Sequence, residues 1–293
     1  MSLSRRPIEV FGTTFQNPVL LAAGTAGFGR ELARVVDLDR LGGVTTKAVS
    51  PEPRSGHAAP RVAEFSGGML NAVGLANPGL ERVAETEIPW LAANLRRARV
   101  IVNVVGAVAE DYVAVLRRLD GESFITGFEL NVSCPNTARG GEEFGADEGV
   151  LAALVSACRG VTRRPLIVKL SPSLPDPART AAAAASAGAD GFTLVNTLPG
   201  SLYRARGSNG AGSRLGYGQG GVSGPALLPV GVLATRRVRE RTGLPVIGVG
   251  GIRRIEDAKQ YFQAGASLVA IGTAALADPR IPERIVAAWE ADG

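Results

Sequence analysis

Eight short runs of apolar, β-branched residues recur along the chain, most of them followed by a stretch with helical periodicity. The runs are PVLLAAG (18–24), GGVTTKAV (42–49), RVIVNVVG (99–106), GFELNVSC (127–134), PLIVKLSP (165–172), GFTLVNT (191–197), PVIGVGG (245–251) and LVAIGTA (268–274). Each is close to continuously apolar, the pattern of a strand buried on both faces of a parallel sheet. Between them lie EDYVAVLRRLD (110–120), EGVLAALVSACR (148–159), ARTAAAAASAG (178–188) and RIEDAKQYFQAG (254–265), several of which stop at a glycine before the next run. With a closing helix at IPERIVAAWEA (281–291), the count predicts an α/β fold, a (β/α)8 barrel. IEVFGTTFQN (8–17) alternates as a small N-terminal β-hairpin expected to cap the barrel's bottom. An open doubly wound sheet would need a dinucleotide-binding GxGxxG after the first strand; GTAGFG (24–29) fits loosely, and no acidic residue ends a second strand. No linker or composition shift divides the 293 residues, so 1–293 read as one domain.

Composition narrows the chemistry. Two cysteines outside any CxxC pair cannot form a disulfide framework, and a single histidine argues against a structural zinc site or a histidine-based triad. No window approaches a membrane span and MSLSRRPIEV has no signal-like apolar stretch, so the expected location is the cytoplasm. Thirty-two basic against 27 acidic residues hint at a polyanionic partner. Only Lys47, Lys169 and Lys259 are lysines, however, which leaves 29 arginines, scattered as in Arg96, Arg97 and Arg99 and without interleaved aromatics. The arginine excess is compositional background, and neither nucleic acid nor membrane is an expected partner. The surviving lysines are the informative set.

The active site of such a barrel lies at the C-terminal strand ends. Lys47, Asn103, Asn131, Ser133, Cys134, Lys169, Asn196 and Thr197 all fall in the runs near those ends. Buried amides and ammonium groups need partners, so residues from five strands are expected to converge on something polar. Gly250, Gly251, Gly272 and Thr273 follow the last two runs, where barrels often bind phosphate, and GGVSG (220–224) predicts a third such turn at Gly221. Cys134 opens a Pro/Gly-rich segment of lid-like length, whereas Cys158 lies in an apolar helix and reads as packing. With no histidine partner, a base role suits Cys134 better than acyl transfer; His57, in RSGHAAP, reads as a loop-packing residue.

NPVLLAAGTAGFG, TTKAVSPEPRSG, MLNAVGLANPG, ELNVSCPNTARGGEEFG, IVKLSPS, LVNTLPG, GGVSGPA, PVIGVGGI and AIGTA span nearly the whole chain. In this order they resemble the class 1 dihydroorotate dehydrogenases, most closely the 1B branch. The resemblance implies FMN in the barrel mouth and oxidation of dihydroorotate to orotate in pyrimidine synthesis. It assigns Ala23, Lys47, Ala48, Asn103, Asn131, Lys169, Val195, Gly221, Gly250, Gly251, Gly272 and Thr273 to the cofactor. It assigns Lys47, Asn71, Ala72, Val73, Gly74, Leu75, Asn131, Asn196 and Thr197 to the substrate. Cys134 would take the C5 proton while the C6 hydride passes to flavin N5. Branch members work with a subunit carrying FAD and an iron–sulfur cluster that passes electrons to NAD; a homodimer is also expected.

Ala23 stands where relatives usually carry serine, and Ala76 where they carry glutamine; 201–219 matches poorly. A pyrimidine-reducing flavoprotein acting on uracil, a dihydrouracil/dihydropyrimidine-type oxidoreductase, is the nearest alternative, but Lys47 favours a carboxylated substrate. A hydroxyacid-oxidase-like barrel would need a catalytic histidine. A non-catalytic FMN-binding scaffold barrel is disfavoured by Cys134 and the strand-end lysines.

Overall fold

The computed structural model describes residues 7–133, 135–136, 142–204 and 212–292. Eight parallel strands close into a barrel in chain order: β1 Val19–Leu21, β2 Gly43–Thr45, β3 Arg99–Val104, β4 Ile125–Asn131, β5 Leu166–Leu170, β6 Gly191–Leu194, β7 Val246–Val249 and β8 Leu268–Ile271. Every one lies within or overlaps a predicted run. Helices Ala109–Leu119, Glu148–Arg159, Pro177–Ser186, Leu228–Thr242, Ile255–Gln263 and Ile281–Asp292 pack outside, and no helix of the described residues is long and apolar enough to cross a membrane.

Alternation along the strands divides the core in two. Val100, Val102, Phe128, Leu130, Val168 and Phe192 face the helices in the main apolar cluster. Leu20, Ile101, Ile167, Ile247 and Leu268 form a second cluster with Val10 and Phe15. Those two residues come from the expected hairpin, Ile8–Val10 against Thr13–Phe15, which plugs the N-terminal end. Its two-residue turn puts both Phe11 and Gly12 at positive φ, as tight hairpin turns require.

Two connections differ from the simple repeat. Between β1 and β2 there is no α-helix, only 3-10 turns at Leu32–Arg34 and Leu38–Arg40. Gly29 there holds a φ of 98°, and a Cβ on it would sit 2.8 Å from the Trp90 ring, so the backbone is pressed into a turn. The excursions after β2 and β6 contribute two strands each to a four-stranded antiparallel sheet, in the order Leu198–Gly200, Gly220–Ser223, Gly68–Asn71, Val62–Phe65. Leu70, Ala63, Ala72 and Leu215 give it a small core of its own. Gly221 accordingly lies in a strand, paired with Asn71 and Pro199, not in the turn predicted there. The positive φ of this stretch falls at Gly224 instead.

Asp39 fastens the first connection to the entry of β3. Its Oδ1 accepts from the backbone N–H groups of Arg96, Arg97 and Ala98 at 2.9, 2.7 and 2.9 Å. Burial pushes its carboxyl up, but the three N–H donors and the Arg97 guanidinium outweigh that and hold it below the ordinary aspartate range. A depressed carboxyl stabilises the fold above its unfolded pKa and ceases to do so as pH falls through the folded one. Asp39→Asn is expected to destabilise the protein by roughly 1–2 kcal/mol at neutral pH. In thermal melts the gap between the two proteins should narrow as pH drops below about 4, and a gap independent of pH would show that the charge is not involved.

Candidate active site at the barrel mouth

Because the strands are parallel, their C-terminal ends open on one face, and the residues expected to carry chemistry lie there. Ala23 follows β1, and Lys47 and Ala48 follow β2. Asn103 and Lys169 lie inside β3 and β5, and Asn131 ends β4. Val195, Asn196 and Thr197 follow β6, Gly250 and Gly251 follow β7, and Gly272 and Thr273 follow β8. Asn71 ends a strand of the antiparallel sheet, with Ala72–Leu75 leading away from it. Gly74 and Leu75 there both take positive φ, 71° and 58°, and a Cβ on Gly74 would strike the His57 ring. His57 stacks on Tyr217, with ring centroids 3.7 Å apart, and serves loop packing as expected. Cys134 lies outside the described residues.

The amides join in an arc. Asn196 Nδ2 donates to Asn131 Oδ1 at 3.3 Å, and Asn196 Oδ1 accepts from the Thr197 N–H at 2.9 Å. The Thr197 side chain lies so close to Gly221 that a Cβ there would fall 2.0 Å from its Oγ1. Asn71 Nδ2 in turn donates to the Gly221 carbonyl at 3.3 Å. Asn71, Asn131 and Asn196 thus lie in one row with Gly221 and Thr197, held by one side-chain pair and two bonds to the backbone.

Beneath the arc the barrel interior turns polar. With a two-residue period, Asn103 stands one step above Ile101 and Lys169 one step above Ile167. Between them lies Glu129, 2% exposed, a residue not singled out from the sequence. Its carboxylate accepts from Asn103 Nδ2 and from Thr193 Oγ1, both at 2.6 Å, and Lys169 Nζ is 3.8 Å away. The signal was present as an acidic residue inside the apolar run GFELNVSC. A buried carboxylate needs such partners, since its desolvation is costly. Cys158 is fully buried in its helix, and burial pushes its thiol up to about 12, against a slight lowering by Arg159, as suits a packing residue.

The residues present fit a group that carries a hydrogen-bond donor and a phosphate, such as a flavin nucleotide. Asn103 Oδ1 is buried without a hydrogen-bond partner among the described residues, an acceptor awaiting a donor. Gly272 opens the short helix Thr273–Ala277, and a Cβ on it would meet nothing closer than 3.7 Å, which leaves its backbone open to approach. Thr273 Oγ1 donates to Ser223 Oγ at 2.7 Å, joining this end to the antiparallel sheet.

Comparison with known proteins decides the family. The family model described as dihydroorotate dehydrogenase matches residues 7–291. The chain belongs to the dihydroorotate dehydrogenase family. It is 43% identical over 284 residues to the protein named dihydroorotate dehydrogenase B (NAD(+)), catalytic subunit, of Bacillus thuringiensis (strain Al Hakam), covering 97% of this chain and 90% of the relative. Proteins of the same name are 42% identical in Geobacillus kaustophilus, over 97% of this chain and 90% of the relative. In Listeria monocytogenes serotype 4b (strain F2365) the identity is 41%, over 97% and 92%.

Two tyrosines brace the mouth of this dihydroorotate dehydrogenase barrel from outside. Tyr112 donates to the Asn131 carbonyl at 2.9 Å, and Tyr261 to the Gly250 carbonyl at 2.8 Å. Tyr261 is fully buried, and burial pushes its phenol well above the ordinary range, so it stays a donor. It fits because residues 248 and 231 are both glycine; a Cβ at 248 would stand 2.3 Å from the ring and one at 231 would stand 2.0 Å from the hydroxyl. Tyr261→Phe is expected to cost roughly 1 kcal/mol and to speed amide exchange around Gly250–Ile252. Gly248→Ala should cost more, roughly 1–3 kcal/mol from overpacking; equal melting temperatures for the wild type and both variants would remove the brace from the account.

Proposed function

We propose that this chain is the catalytic subunit of a two-part dihydroorotate dehydrogenase of the cytoplasm, a single FMN-binding barrel that oxidises dihydroorotate to orotate. The observation that carries the reading is the arc Asn71–Gly221–Thr197–Asn196–Asn131 at the strand ends of a barrel matched to the family from residue 7 to 291. Each asparagine offers both a donor and an acceptor, the combination needed to grip a cyclic imide. Lys47, half-buried and with no carboxylate partner among the described residues, supplies a cation for the substrate's carboxylate. That cation separates dihydroorotate from dihydrouracil, which has nothing to meet it.

The same residues divide the work. Lys47, Asn71 through Leu75, Asn131, Asn196 and Thr197 hold the pyrimidine. Ala23, Lys47, Ala48, Asn103, Asn131, Lys169, Val195 and Gly221 line the flavin, with Gly250, Gly251, Gly272 and Thr273 at its phosphate. FMN, when bound, supplies the acceptor for the C6 hydride. Cys134 takes the C5 proton, made acidic by the neighbouring carbonyl, and its unperturbed pKa of about 8.5 leaves some thiolate at neutral pH. Further along, Gly145 N–H donates to the Val132 carbonyl at 3.2 Å and Phe144 meets Tyr112 edge-on. The relatives are named as NAD(+)-linked catalytic subunits, which supports a partner subunit carrying FAD and an iron–sulfur cluster as the route to NAD, and we infer a homodimeric catalytic core.

Under anaerobic conditions, dihydroorotate added to FMN-loaded protein is expected to bleach the flavin band near ~450 nm. Bleaching by dihydrouracil and not by dihydroorotate would overturn the substrate. Cys134→Ala should slow that bleaching by roughly 100-fold or more, and the wild-type rate should rise with pH through the thiol's ionisation. A near-normal rate in Cys134→Ala would remove the base.

A further inference from the structure

We propose that Glu129 is a positioning residue of the cofactor site, one that orients the Asn103 amide and balances the Lys169 charge. The inference rests on the flavin reading given above and extends it to residues that the resemblance does not assign. Its ground is a constraint of chemistry: an ionised carboxylate accepts hydrogen bonds and donates none. Both neutral groups that touch Glu129 must therefore turn donors toward it, and they do so at 2.6 Å, Asn103 through Nδ2 and Thr193 through Oγ1. The Asn103 amide is thereby locked with its carbonyl oxygen facing away.

That oxygen is buried and unpartnered among the described residues. Leaving a buried carbonyl unsatisfied is costly, so an amide free to turn would not hold this pose. Glu129 holds it, and what the amide presents is an acceptor for an incoming N–H.

Lys169 receives a different service. Its side chain is 7% exposed, and its Nζ lies 3.8 Å from Glu129 Oε1. This is close enough for charge compensation and too far for a hydrogen bond. The ammonium donates no hydrogen bond to the described residues, so its N–H groups stay open to an external acceptor. Asn103 and Lys169 together offer one acceptor and one cationic donor. A planar heterocycle with an adjacent N–H and carbonyl, such as the pyrimidine edge of a flavin, complements that pair.

The geometry could not be built by neighbouring strands alone. Glu129 is on β4 and Thr193 on β6, with β5 between them, so their hydrogen bond runs across the barrel interior. The carboxylate is pinned from β3 and β6 while it sits under the charge on β5.

Glu129→Gln is the direct test, because an amide at 129 can donate as well as accept and carries no charge. FMN titrated into apoprotein is expected to bind at least tenfold more weakly in E129Q than in wild type. With the positive charge on Lys169 no longer offset, the anionic reduced flavin should gain about tenfold relative to the oxidised form, an upward shift of about 30 mV for a two-electron couple. Asn103→Ala alone should weaken FMN binding, and adding E129Q to it should cost less than threefold more, since the two act through one contact. Thr193→Val, which loosens the carboxylate but keeps its charge, should weaken FMN binding about threefold and leave the potential in place. This variant carries the test if E129Q does not fold. E129Q or T193V binding FMN as wild type does, or an unchanged potential in E129Q, overturns the inference. Wild-type apoprotein that takes up no FMN overturns the flavin reading itself and this inference with it, so the two failures are told apart by that control.

Discussion

Closing eight parallel strands into a barrel forces every second residue inward, where no solvent can satisfy a polar group. At the N-terminal end the chain meets this constraint with hydrocarbon, Leu20, Ile101, Ile167, Ile247 and Leu268 over the hairpin plug of Val10 and Phe15. One residue pair higher it meets it with a charge network, Asn103, Glu129, Lys169 and Thr193. The boundary between the two layers is the floor of the site. Everything above it, the amide arc and the covering sheet, is placed relative to a floor that cannot shift without exposing either apolar surface or a buried carboxylate.

Much of this was legible along the chain because it is local. Each barrel strand is a run of apolar residues long enough to be seen alone, and Asn103, Lys169 and Asn131 stand out as polar interruptions within such runs. What escaped was non-local or masked by its neighbours. Gly68–Asn71 pairs with Gly220–Ser223, some 150 positions later, and neither segment is strongly apolar, so the sheet over the mouth leaves almost no periodic trace. The missing first helix is likewise a packing outcome, since the turn at Gly29 answers to Trp90 in the following connection. Glu129 sits two residues from Asn131 and was overshadowed by it, although an acid in a doubly buried strand is the rarer event.

Family membership and geometry support each other at different scales. Identity of 41–43% spread over 97% of the chain speaks for the whole, while the contacts speak for single atoms. The Ala23 departure is a case in point. Its methyl group offers no hydrogen bond at the mouth, while the backbone beside it is held where the Ala22 N–H donates to the Ile271 carbonyl at 3.0 Å.

The covering sheet has two owners. Its central strands come from the excursions after β2 and β6, which are joined by a ladder, and Thr273 beyond β8 is bonded to the same sheet through Ser223. Such a cross-braced canopy behaves mechanically as one plate. Its three attachments, after β2, β6 and β8, are linked through the Gly221–Asn71 pairing and the Thr273–Ser223 hydrogen bond. The plate acts as a caliper, holding the strand ends it touches at a single width.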